Sequence, residues 1–236
     1  MNLIFSDEFQ YEGAPDSMKW DYDLGDHGWG NNESQNYTNS LENACVKNGK
    51  LYITAKKTDS GYTSARLVTR GKFSFQYGRI EVSAKLPRGV GSWPAIWMLP
   101  DSINEKGWPL CGEIDIMEHV GKDEDTVVVS LHSKLYNHIL GTQKSYSGPL
   151  PGVCDNFNTY ICQWDEAAIE FYFNSNRVAR YEKNSGDTSE AGWPFDQPFH
   201  LLLNIAVGGN WGGPVIDDEA MPFVMEIEYV RVYNLQ

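Results

Sequence analysis

Residues 112–121 read GEIDIMEHVG. This short, glycine-bounded apolar run carries three carboxylates, Glu113, Asp115 and Glu118. Charge inside such a run destabilises a fold unless something uses it. In a β-strand, side chains two positions apart share a face. Glu113 and Asp115 therefore point one way, and Ile114 and Ile116 point the other way, toward a core between sheets. Glu118 lies five residues beyond Glu113, and odd spacing sends it into that core. A one-residue β-bulge near Ile116–Met117 resets the parity and returns Glu118 to the side of the other two. The spacing thus predicts a bulge and three carboxylates on one face.

Hydrolysis of a glycosidic bond needs two carboxyl groups: an ionised one to attack the anomeric carbon and a protonated one to donate to the leaving oxygen. A third between them raises the acid's pKa by like-charge repulsion and can hydrogen-bond the nucleophile. Neighbouring positions on one strand favour the short separation, about 5–5.5 Å, of a retaining mechanism. The competing readings are a hard-cation site, since such ions take clustered carboxylates, and an exposed acidic edge strand. The flanking Ile114, Ile116 and Met117 argue against the edge strand.

Around this segment the chain reads as β throughout. Short alternating runs recur between Gly, Pro, Asn and Asp: KLYITAKK (50–57), YGRIEVSAKLP (77–87), TVVVSLHS (126–133), NTYICQW (158–164), AIEFYFNSNRVARYE (168–182), FHLLLNIAV (199–207) and VMEIEYVRVYN (224–234). Residues 168–182 read as a hairpin turning near Asn174, Ser175 and Asn176. Residues 181–197 read as a loop with one helical turn at most. Many closely spaced strands without βα alternation predict an all-β fold, an antiparallel two-sheet β-sandwich or jelly roll. With no linker or repeat, residues 1–236 read as a single domain.

Composition excludes several partners. The formal net charge is −13, which opposes nucleic acid and anionic membrane surfaces. No run of about 18 apolar residues spans a bilayer. No basic-then-apolar leader precedes MNLIFSDEF, which reads as either a mature domain or a cytosolic protein, and the strand-like start favours the former. Cys45, Cys111, Cys154 and Cys162 match no zinc pattern and read as free thiols, with a Cys154–Cys162 bridge as the alternative. The 8 Trp and 13 Tyr supply either core or stacking surface.

GEIDIMEHVG resembles the signature of glycoside hydrolase family 16 in its bulged E-x-D-x-x-E form. WGNNESQNYT, YTSARLVTRGKFSFQYGRIEVSAKLP, SWPAIWMLP, HLLLNIAVGGNWGG and the closing EIEYVRVYN resemble the laminarinase-like branch, in family order over most of residues 5–234. The resemblance implies a jelly roll whose concave sheet forms an open cleft. It implies endo-cleavage of β-1,3-glucan with retention, no catalytic cofactor, a secreted protein and a monomer. By position it implies Glu113 as nucleophile, Glu118 as general acid/base and Asp115 as the auxiliary carboxylate. The unbulged form is typical of lichenases acting on β-1,3-1,4-glucan; agarases and carrageenases can share the bulge. Members without both glutamates can serve as glucan-binding modules.

Period two gives Trp93, Ala95 and Trp97 one face and Ile96 and Met98 the other, which places the two indoles in the cleft. Trp211, in GGNWGG, has nothing obvious to pack against and reads as a ligand contact. Arg66 and Asn32 resemble positions that contact glucose hydroxyls; Arg66 reads equally as the ion-pair partner of a carboxylate. Asn204, inside an apolar strand, requires a hydrogen bond, either to backbone or in the cleft. His132 alternates with Ser130 and reads as facing the cleft, whereas His119 should point away. The resemblance also implies a structural calcium at Glu8, Gly49 and Glu228, with Glu standing where Asp is usual.

Overall fold

The computed structural model describes residues 1–187 and 189–235. Thr188, in the stretch read as a loop, lies outside the described residues, as does Gln236. Two sheets pack face to face around one continuous apolar core. One sheet has seven strands in the spatial order Lys144–Pro149, Thr126–His132, Glu113–Glu118, Ser92–Pro100, Phe199–Val207, Arg66–Val68 and Asp21–Tyr22. The other has ten, with Gly78–Lys85 and Phe223–Asn234 paired near its centre. Pairing is antiparallel except between Gln35–Tyr37 and Gly61–Ser64. The expected all-β sandwich is the observed architecture.

Every long alternating run is a strand, within a residue or two of its expected limits. The hairpin forms from Ala168–Phe173 and Asn176–Glu182, and Asn174 takes a positive φ of 56° at the turn. Helix is confined to single turns such as Ile103–Lys106 and Gly209–Gly212. Among the described residues, no helix is long and apolar enough to cross a membrane. All four cysteines are free, with Cys111 and Cys162 buried.

The bulge is where the parity argument requires it. Against Thr126–His132, the register of the carboxylate strand slips between Asp115 and Glu118. Against Ser92–Pro100, it slips between Asp115 and Met117. Ile114, Ile116 and Met117 are all fully buried in the shared core, and Glu118 comes back to the open face. An unbulged strand would turn Met117 to the cleft beside Glu113 and Asp115. Met117→Ala therefore separates the two registers. A core site predicts a loss of about 2–5 kcal/mol in urea unfolding. A loss below about 1 kcal/mol would place Met117 on the open face.

Candidate active site

The open face of the seven-stranded sheet forms a cleft with two adjoining halves of about 490 Å³ each. Glu113 and Glu118 line both halves and so stand at their junction. Cross-strand register fixes the neighbours of the carboxylates. Glu113 pairs with His132, Asp115 with Ser130 and Trp97, and Glu118 with Val128 and Ala95. Asp115 is only 3% exposed. His132 Nε2 lies 3.1 Å from Asp115 Oδ2 and 3.8 Å from Glu113 Oε1. Trp93 Nε1 donates to Glu118 Oε1 at 3.1 Å.

Burial dominates the electrostatics. It pushes Glu113 up to about 8, and the Asp115 carboxyl beside it acts in the same direction; His132 and Arg66 oppose the rise. Burial, again with Asp115, pushes Glu118 up to about 8, opposed by His132 and by the hydrogen bond from Trp93. Burial holds Asp115 well above the usual carboxylate range. Three carboxyls this close share protons, so they titrate as a unit. Arg66 lowers Glu113, and the Trp93 hydrogen bond lowers Glu118.

One half of the cleft is aromatic. Trp93, Ala95 and Trp97 line it, while Ile96 and Met98 are fully buried beneath, as period two requires. The Arg66 guanidinium sits between two indoles, 4.6 Å from the Trp29 ring centroid and 4.7 Å from that of Trp97. Its ion-pair partner is Asp23, at 3.2 Å, and not a cleft carboxylate. Trp97 Nε1 donates to Asn204 Oδ1 at 2.7 Å, and Asn204 Nδ2 donates to the Tyr37 hydroxyl at 3.0 Å. The polar atoms of Asn204 thus meet side chains, not backbone, and the residue lines the cleft. Glu33 accepts from Gln35 at 2.7 Å and from Asn31 at 3.3 Å, and burial raises its pKa.

The other half is more polar at its floor, where Thr126, Ser130, His132, Ser145 and Ser147 project. Trp211 lines this half, in the helical turn Gly209–Gly212. It does find a packing partner, because its ring meets Trp93 edge-on at 5.4 Å between centroids. His119 turns away from the cleft; it is buried, with Nδ1 2.8 Å from the Thr126 carbonyl oxygen.

Two groups of expected residues sit differently. Asn32 is exposed and donates to Asn210 Oδ1 at 2.8 Å, and it is the adjacent Asn31 that lines the cleft. Of Glu8, Gly49 and Glu228, expected to hold calcium, the two glutamates have other partners and are not brought together. Both Glu8 oxygens accept from Arg231, at 2.8 and 2.7 Å. Glu228 accepts from Ser83 at 2.6 Å. Gln10 Nε2 donates to the Glu8 carbonyl at 3.0 Å and reaches to 3.2 Å of the space beside Gly49.

Trp29, Trp108, Glu33 and His138 also line the cleft, and the sequence reading passed over them. Trp29 lies between Gly28 and Gly30 with φ of 50°. A tryptophan framed by glycines is the same signal that marked Trp211.

A family model for glycosyl hydrolases family 16 matches residues 31–230. The chain belongs to this family. It is 50% identical to a β-glucanase of Rhodothermus marinus, over 98% of the chain and 85% of that protein. It is 36% identical to a keratan-sulfate endo-1,4-β-galactosidase of Sphingobacterium multivorum, over 99% of the chain but only 55% of that protein. The X-ray structure of a laminarinase from Rhodothermus marinus superposes with a TM-score of 0.95 at 48% identity, covering 99% of this chain and 97% of that one. The chain is accordingly a glycoside hydrolase, and the family's catalysis is retaining and needs no cofactor.

Two outcomes follow from this geometry. Asn204→Ala removes the acceptor of Trp97 Nε1 and a donor to Tyr37, and should lower unfolding stability by about 1–3 kcal/mol; an unchanged urea midpoint would show that the link carries no stability. The second concerns pH. Carboxyls whose folded pKa is raised stabilise the fold below their unfolded pKa, and that contribution is lost as pH rises through about 8. Glu118→Gln removes one such group. It should raise the denaturation midpoint relative to wild type above pH about 8 and change it least in mild acid. A constant difference across that range would show that the Glu118 pKa is not shifted by folding.

Proposed function

We propose that the protein is a retaining endo-β-1,3-glucanase, cleaving internal bonds of laminarin-type glucans by double displacement. The observation that carries the reading is the gathering of Glu113, Asp115 and Glu118, by one bulge, at the junction of an open cleft with an aromatic half. A cleft open along its length accepts the middle of a polymer. Indole faces suit the apolar C–H faces of sugar rings.

Glu113, as a carboxylate, attacks the anomeric carbon and forms the glycosyl–enzyme bond. Glu118 enters protonated, gives its proton to the departing glycosidic oxygen and becomes a carboxylate. It then takes a proton from the water that cleaves the intermediate. Burial holds the Asp115 carboxyl well above the usual carboxylate range, and when protonated it can donate a hydrogen bond to the nucleophile. Trp93 holds the Glu118 carboxyl in place through its indole N–H. Trp97, Trp211, Arg66, Asn204 and Asn31 position the glucan, and His132 acts on the carboxyls beside it. Activity on an insoluble or high-mass polymer implies work outside the cell, and the proposal takes the chain as a monomer. The relatives named a β-glucanase and a laminarinase support the choice of glucan.

Product analysis on laminarin, barley mixed-linkage glucan and agarose tests the substrate. Oligosaccharides are expected chiefly from laminarin. Faster release from barley glucan would move the specificity to β-1,3-1,4-glucan, and release from agarose alone would make the enzyme galactan-directed. Glu113→Ala should lower kcat by at least about a thousandfold with the fold intact. Glu118→Ala should recover turnover in azide and yield a β-glycosyl azide. Retention of wild-type activity in both variants would remove the assignment. On the basic side, kcat/KM should fall as pH rises through about 8, where Glu118 loses the proton it must donate.

A further inference from the structure

Three potential metal ligands converge at the floor of the cleft. His132 Nε2, Asp115 Oδ2 and Glu113 Oε1 all lie within 4.8 Å of one another. The imidazole nitrogen is 3.1 Å from the first oxygen and 3.8 Å from the second. A tetrahedral ion with bonds of about 2.0–2.2 Å holds its ligands about 3.4 Å apart. The two distances from the imidazole bracket that value, and the two carboxyl oxygens lie within 4.8 Å of each other.

A second observation points the same way. Asp115 Oδ2 is buried and has no hydrogen-bond partner, although its side chain is only 4% exposed. Its approach to His132 Nε2 is close but lacks hydrogen-bond geometry. A buried oxygen in that condition is destabilising, and a bound cation relieves it. Glu113 lines both halves of the cleft, so an ion held by it is within reach of water or a sugar hydroxyl.

We propose that Glu113, Asp115 and His132 form a binding site for a divalent transition metal, with Zn²⁺ as the probe, and that the ion competes with glycan for the cleft. One imidazole nitrogen with two carboxylate oxygens suits borderline ions; Mg²⁺ and Ca²⁺ prefer all-oxygen shells of six or more ligands. Binding depends only on the three side chains. Inhibition rests in addition on the reading of Glu113 as nucleophile, because the ion takes the lone pair that attacks the sugar. The metal is a regulator or poison of the cleft here, not a participant in turnover.

Isothermal titration of Zn²⁺ into chelator-treated protein near neutral pH reads binding without reference to activity. Saturable binding of one ion per chain is expected, weakened at least about tenfold in His132→Asn and in Asp115→Asn and unchanged in His27→Asn and Cys45→Ser. Thermal melting of each variant shows whether it is folded. Laminarin should lower the apparent affinity, and Zn²⁺ should raise KM for laminarin with little effect on kcat. Absence of saturable binding, or unaltered binding in both His132→Asn and Asp115→Asn, overturns the site. Displacement of Zn²⁺ by equal Ca²⁺ overturns its selectivity. Binding that follows the variants without inhibition would leave the metal site standing and count against Glu113 as the nucleophile.

Discussion

The slip of one residue between Asp115 and Glu118 is the constraint on which the cleft depends. The strand Glu113–Glu118 is hydrogen-bonded on both sides, and the register shifts against both neighbours at the same place. One extra residue sends Ile116 and Met117 together into the core and brings Glu118 out. The neighbouring strands are indexed to the result. Trp97 stands opposite Asp115, Ala95 opposite Glu118 and His132 opposite Glu113. Trp93, two residues from Ala95 on the cleft face, reaches Glu118 with its indole N–H. Removing the bulge would leave these partners aimed at a strand whose last carboxylate is in the core.

Gathering carboxyls in this way works against stability, and the sandwich absorbs it. Desolvation is the leading cause of the raised pKa at all three acids, with mutual repulsion second at the two glutamates. A group held protonated by burial can donate a proton at neutral pH, which a solvent-exposed glutamate cannot do. The same burial that destabilises the ionised trio therefore creates the acid that glycoside hydrolysis requires. Support comes from below: Ile96, Met98, Ile114, Ile116 and Met117 are all fully buried in the shared core. The carboxylates rest on rigid elements and not on loops, which is the arrangement that precise catalysis favours.

Long alternation made the sheets legible, and parity made the bulge legible, because both are local properties of the chain. The shorter strands were not. Asp21–Tyr22, Gln35–Tyr37 and Arg66–Val68 hold two or three residues each, too few for any period to show, and they exist because a longer strand offers them a partner. Side chains on loops were harder still. No periodicity tells Asn31 from Asn32, and which one faces the cleft depends on a backbone that turns through positive φ at Asn32. The corner at Glu8 is decided by Arg231, 223 positions away in sequence, so a resemblance by position could not reveal that a guanidinium occupies the carboxylate. Trp29 was within reach, since GWG carries the same glycine framing as the segment around Trp211.

The two halves of the cleft differ in lining on either side of the same carboxyls. On the proposed mechanism, the sugar that becomes bonded to Glu113 must stay while the departing part of the chain leaves and water enters. The half with Trp29, Trp97 and Trp108 and the indole-stacked Arg66 offers large rigid surfaces and a pre-positioned polar network through Asn204, Tyr37 and Glu33. Such surfaces bind sugar rings with little side-chain entropy lost on binding. The half floored by serines, Thr126 and His132 offers hydroxyls that water can replace one for one. Tight binding there would slow release and raise the residence of a sugar able to intercept the intermediate. The cleft is thus asymmetric about its carboxyls, with an indole-stacked guanidinium on one side and hydroxyls beside Trp211 on the other.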